Sequence, residues 1–221
     1  MNYPTLGNRN LTEAWEFVRV NLYESPYDSF GGGNVPKYPF RSRFMHTMRV
    51  LQWAKRLLPD FPEVNQEAAA LGIIFHDVGY SKGKNKEHPQ AGAQLYLEFL
   101  TTHPELSGIF GEKEGQDYIA WIIAHHTEKW RLGTEDATPE LSILMEADMM
   151  DEEGAMRVAW DNMAAAVCGA ESFRESLERT EKYWKKEFDP MVTPLAKQYW
   201  KQKQEFVEAY ISNMRMDLFL D

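Results

Sequence analysis

Five separate stretches of the chain each place a histidine or aspartate in line with apolar residues at helical spacing. His46 shares a stripe with Val50, Trp53 and Leu57, and His76 follows Ala69, Gly72 and Ile73. His88 precedes Gly92, Leu95 and Phe99; His126 follows Ile119, Ile122 and Ile123; Asp148 follows Leu141, Leu144 and Met145. Asp77 stands beside His76, and His125 beside His126. Any one such histidine is more often a packed residue with a single hydrogen bond. The recurrence on five helices is the signal. Imidazoles and carboxylates aimed at an apolar interior need partners, because burying them unpaired is costly. A divalent cation would satisfy the whole set and keep the carboxylates ionised. Imidazole and carboxylate without thiolate favour Fe, Mn, Co, Ni or Zn over Ca. The spacings do not fit a zinc finger, and no HExxH helix is present.

The elements that must carry these residues read as helices almost throughout. Asn10 with Glu13 has the spacing of a capping box, opening a helix over "NLTEAWEFVRVNLYE". Helices are expected at about 40–58, 63–77, 89–102, 115–126 and 138–150, then over "AMRVAWDNMAAAV", about 172–187 and 194–214. Residues 25–39, rich in Gly and Pro, form a long loop in which Gly31–Gly33 could hinge. No alternating strand pattern and no internal repeat is present, so the fold class is all-α. One domain over 1–221 is expected, its C-terminal helices capping the core or forming the face of a homodimer.

The 221 residues are 43% hydrophobic and 26% charged, enough for a real core. A formal net charge of −10 argues against an extended nucleic-acid partner, although a small anionic substrate senses only its local pocket. No apolar run is long enough for a membrane span, and the N-terminus has no signal-peptide pattern. Cys168 is the only cysteine, so no disulfide forms within the chain. A cytoplasmic protein with no membrane partner is the expectation.

The ordered segments "FMHTMRVLQWA", "GIIFHDVGY", "HPQAGAQLYLEFL", "IIAHHTEKW" and "EADMMD" resemble the signature of the HD superfamily of metal-dependent phosphohydrolases. The resemblance covers about 40–151, the HD core, and leaves 1–39 and 152–221 as helical flanks. It implies an all-helical bundle with a metal site at its centre. One ion would take His46, His76, Asp77 and Asp148. A second would take His88, His125 and His126 with Asp77 bridging, and the isoleucine stripe favours His126 of the adjacent pair. Pro89 suits the first helical turn, which puts His88 at the N-cap. The Gly-Tyr-Pro of the branch that cleaves cyclic dinucleotides is missing after His126. Ser42 stands where a glutamate would supply a third ion.

The implied chemistry is hydrolysis of a nucleotide or other small phosphoester by a metal-bound hydroxide, since two ions lower the pKa of a bound water from about 15.7 toward about 7. Asp77 would bridge the ions. Lys82, with Lys84 and Lys86, or Arg49, with Arg41 and Arg43, would neutralise the leaving oxygen. The same ligands also suit the superfamily's di-iron oxygenases, which cleave C–C or C–P bonds, and a third reading is a non-catalytic ligand-binding module. Trp130, Tyr38 and Tyr80 could stack on a base, but a packing role is the stronger expectation for each. His103 has no assigned role.

Overall fold

Each helix that carries a candidate ligand begins or ends on a local signal. Ser42 caps α2 (Arg43–Leu57), its hydroxyl accepting the Met45 N–H at 3.2 Å. Asn65 caps α3 (Gln66–Phe75) by accepting from Glu67 and Ala68, both at 3.1 Å. The computed structural model describes residues 3–24, 42–83, 86–109, 112–184 and 188–220. The remaining α-helices are α1 (Thr12–Glu24), α4 (His88–Thr102), α5 (Glu112–His125), α6 (Pro139–Asp151), α7 (Ala155–Val167), α8 (Phe173–Tyr183) and α9 (Pro194–Asp217), with short 3-10 turns between some of them. The described residues contain no strand, and the protein is all-α as expected. The 25–39 loop and its glycines, Tyr38, Arg41 and Lys84 lie outside the described residues.

The chain divides into two compact units, Met1–Asp148 and Met149–Asp221. In the first, α3 is the central element: every residue from Ala68 to Phe75 is buried. It packs against α1, α2, α4 and α5. Phe75 meets Tyr96 and Phe99 at centroid distances of 5.2 and 5.3 Å, with Phe17 at 5.8 Å. Trp15 and Phe44 meet edge to face at 5.9 Å and tie α1 to α2. Asn10 accepts the Thr12 N–H at 3.0 Å, and α1 starts at Thr12, one residue later than a cap at Asn10 would place it. His103 closes α4 by stacking on Phe99 at 4.1 Å.

In the second unit Val158, Leu177, Val207 and Ile211 form a small core among α7, α8 and α9. Trp184 packs against it, its indole N–H donating to Gln204 Oε1 at 2.5 Å, while the indole of the buried Trp200 donates to the Phe188 carbonyl at 2.7 Å. Tyr183 and Phe206 are exposed. Helix α8 ends at Tyr183, earlier than the expected 187.

Two boundaries near the ligands differ from expectation. Helix α3 stops at Phe75, two residues before the expected end, and a 3-10 turn follows over Val78–Lys82. Gly79, in the 3-10 turn, does not have a positive φ. Its role is close approach: a Cβ there would sit 2.0 Å from the His88 carbonyl oxygen and 2.6 Å from the Gly92 nitrogen. The absence of a side chain lets the His76–Asp77 turn press against α4. His88 is the first helical residue of α4 rather than its N-cap, which is Glu87.

Candidate metal centre

Helices α3 and α5 end in the same way. The ring Nδ1 of His76 lies 2.7 Å from the Ile73 carbonyl, and that of His126 lies 2.7 Å from the Ile123 carbonyl. Each ring thus bonds a carbonyl of the last helical turn, and the Ile73 carbonyl also accepts the His76 backbone N–H at 3.4 Å. A carbonyl oxygen only accepts, so both Nδ1 atoms carry a proton, and in the neutral ring it is Nε2 that presents a lone pair.

Those lone pairs converge. His76 Nε2 lies 3.4 Å from His46 Nε2, and His126 Nε2 lies 3.2 Å from His88 Nε2. Asp77 stands between the two pairs. Its Oδ2 is 3.5 Å from both His46 Nε2 and His76 Nε2. Its Oδ1 is 3.4 Å from His88 Nε2 and 3.8 Å from His126 Nε2. Asp148 adds Oδ1 at 3.1 Å from His46 Nε2 and 4.0 Å from His76 Nε2. His46, His76 and Asp77 form one group of donors that could hold a metal ion, and Asp77, His88 and His126 form another. The donor chemistry fits a divalent transition ion: buried lone pairs directed at one another are repulsive until a cation lies among them.

The electrostatics favour ligand protonation states. Burial lowers His126 to about 3, so the ring is neutral. Burial works against the charge on Asp77, but His76, Arg43, His46 and His88 together outweigh it and hold the carboxyl well below the usual carboxylate range. Asp148 is held low in the same way against its burial, chiefly by Lys129 and then by the His46 hydrogen bond.

The cations touching these carboxylates are Arg43 and Lys129. Arg43 Nη1 is 2.9 Å from Asp77 Oδ2, and Lys129 Nζ is 2.8 Å from Asp148 Oδ2. The guanidinium of Arg43 also lies 4.3 Å over the Tyr80 ring, which in turn stacks on His88 at 4.0 Å. One side chain therefore contacts Asp77 and, through Tyr80, His88.

His46, His76, Asp77, His88, His126 and Asp148 are brought together. His125 is not in either donor group: its Nδ1 bonds the Trp121 carbonyl at 2.7 Å and its ring sits 4.8 Å from Trp121, half-exposed. Arg49 is half-buried on α2, and Lys82 is exposed at the end of the 3-10 turn. Lys129 was not singled out from sequence; its place three residues after His126 was the available signal. Trp130, expected in the core, is 65% exposed, whereas Tyr80 is buried as expected.

The fold and this donor set define a class, and comparison with known proteins names it. The HD domain family model matches residues 43–153, and the chain belongs to that family. Among solved structures, a Lactobacillus plantarum protein is similar with a TM-score of 0.61 and 18% identity, covering 97% of this chain and 100% of that one. Bacillus subtilis YpgQ is similar at TM-score 0.64 and 18% identity, covering 93% of this chain and 94% of that one. YpgQ has also been solved in complex with ADP, a structure similar at TM-score 0.53. A predicted HD superfamily hydrolase from an uncultured Thermotogales bacterium gives a TM-score of 0.58 at 17% identity, covering 94% and 92%. Comparison with curated proteins gives no match.

Proposed function

We propose that this HD-domain protein is a metal-dependent phosphohydrolase acting on a nucleotide or other small phosphoester. The observation that carries the proposal is the division of Asp77, one oxygen toward His46 and His76 and the other toward His88 and His126. That arrangement suits a carboxylate bridging two ions, with Asp148 completing the first set and His126, not His125, serving the second. A bound divalent pair supplies an acidified water and neutralises phosphoryl charge.

The chain's own residues prepare that chemistry. The Ile73 and Ile123 carbonyls lock the rings of His76 and His126 with Nε2 available for ligation. Arg43 orients Asp77. Lys129, its side chain 29% exposed beside Asp148, offers an ammonium to an anionic substrate. In this reading Arg43, named from sequence together with Arg49, and Lys129, in place of Lys82, take the charge-balancing part. The ADP complex of the structurally similar YpgQ supports a nucleotide-like substrate.

The test is anaerobic incubation of Mn- or Co-loaded protein with a panel of nucleotides and sugar phosphates, following release of phosphate, pyrophosphate or nucleoside. Turnover without O₂ is the expected result. Turnover only with iron and O₂ would replace hydrolysis with oxygenase chemistry, and metal and ligand binding without turnover would leave only a binding module.

A further inference from the structure

The donor cluster is closed on most sides. The side chains of His76, His126, Asp77, His46 and His88 are between 0% and 8% exposed. Asp148 at 17% and its partner Lys129 at 29% are the most open members of the set. A substrate approaching the donors therefore meets Lys129 and Asp148 first. The rest of that substrate must extend on the solvent side of this edge.

The residue following Lys129 is Trp130, its α-carbon about 3.8 Å further along the chain. It is 65% exposed, a large aromatic surface left in water. The indole is also backed. The guanidinium of Arg131 lies 4.5 Å from its ring centroid, and Arg131 is itself held by Glu128 at 2.6 Å. Backbone hydrogen bonds of 2.9 Å from Glu128 to His125 and from Arg131 to Glu128 tie the turn to the end of α5. The platform is thus ordered before any ligand arrives, which lowers the cost of stacking on it. Tyr80 does not compete for this role, because its buried ring already carries Arg43 and His88.

We propose that the turn Lys129–Arg131 is the nucleotide-recognition element, Lys129 meeting the phosphate and the exposed indole of Trp130, backed by Arg131, stacking on the base. The inference rests on the phosphohydrolase reading and deepens it: the preferred substrates carry an aromatic base, and Trp130 supplies the preference. Stacking of this kind tolerates any base, since every base has a π-face.

The test uses calorimetry on the full chain with Mn²⁺ matched in cell and syringe. The ligands are α,β-methylene-ADP and methylenediphosphonate, which share the P–C–P unit and differ in the adenosine. Trp130→Ala should weaken α,β-methylene-ADP by about tenfold or more while its affinity for methylenediphosphonate holds, and Trp130→Phe should recover most of the loss. Lys129→Met should weaken both ligands by a similar factor. Equal effects of Trp130→Ala on the two ligands, or no effect on either, would overturn the proposal while leaving the phosphohydrolase reading intact. Wild-type protein that binds neither ligand and releases no phosphate from any ester would remove that reading, and this inference with it.

Discussion

Arg43 and Asp77 are 34 residues apart in the chain, yet Nη1 of one lies 2.9 Å from Oδ2 of the other, and that oxygen is the one facing His46 and His76. The ion pair is buried, so its value depends on both members being present. Removing the guanidinium leaves a buried carboxylate without the cation that touches it, and one-sided disruption of a buried pair costs about 3–5 kcal/mol. Arg43→Met is therefore expected to lower the urea midpoint of chelator-treated protein strongly. Added Mn²⁺ should restore much of it, because the cation takes over the charge on Asp77. Equal losses with and without metal would show that Arg43 acts by packing alone.

Asp77→Asn should reduce the metal bound per chain more than Asp148→Asn does. Asp77 touches both histidine pairs, and an amide has only one acceptor oxygen and no charge. Asp148 contacts the His46–His76 pair, so its loss should spare an ion held by His88 and His126. Elemental analysis after gel filtration checks both. Equal metal content in the two variants would contradict the division of Asp77.

Gly79→Ala is expected to be among the most damaging substitutions in the first unit. The new Cβ would meet backbone atoms of His88 and Gly92 at 2.0 and 2.6 Å, and backbone cannot rotate aside. A cost of about 3 kcal/mol or more follows, with metal uptake impaired because the turn carrying Asp77 must withdraw from α4. Gly169→Ala is the contrast. Its φ of +88° brings strain of about 1–2 kcal/mol but its Cβ would meet nothing within 4 Å, so metal content should be unchanged. Denaturant melts with parallel metal analysis separate the two mechanisms.

Glu140→Gln should destabilise without emptying the centre. The buried Glu140 carboxylate accepts the Asn65 N–H at 2.6 Å and the Tyr118 hydroxyl at 2.5 Å, tying α6 to the start of α3 and to α5. An amide turns a donor toward one of those two donors, for a loss of about 1–3 kcal/mol. Metal stoichiometry should match wild type, which thermal melts and elemental analysis would verify together.

Removing metal should itself lower the melting temperature of the wild-type protein. An ion that binds only the folded chain stabilises it by RT ln(1 + [L]/Kd), about 2.7 kcal/mol at a hundredfold excess over Kd. Melts in chelator against melts in Mn²⁺ measure the shift. No shift would mean that the converging Nε2 atoms of His46, His76, His88 and His126 do not hold an ion.

The candidate ligands and the helices that carry them were legible in the sequence because both depend on local geometry. A period of 3.6 residues puts His46 in line with Val50, Trp53 and Leu57 in any α-helix, without reference to the rest of the chain. The order of the motifs then resembled a known family, and the match over 43–153 bears that out. Other features were decided by how helices end and meet. Adjacent residues diverge by about 100° on a helix, so which of His125 and His126 turns inward depends on where α5 stops. The end of α3 at Phe75, and the approach to α4 that Gly79 permits, set where Asp77 lies and which rings its two oxygens face. Long flexible cations such as Lys129 carry no periodic signature, and an indole such as Trp130 packs or stands in water according to neighbours far away in sequence. Local periodicity chose the atoms capable of ligation; long-range packing chose which of them share a centre and what remains open beside it.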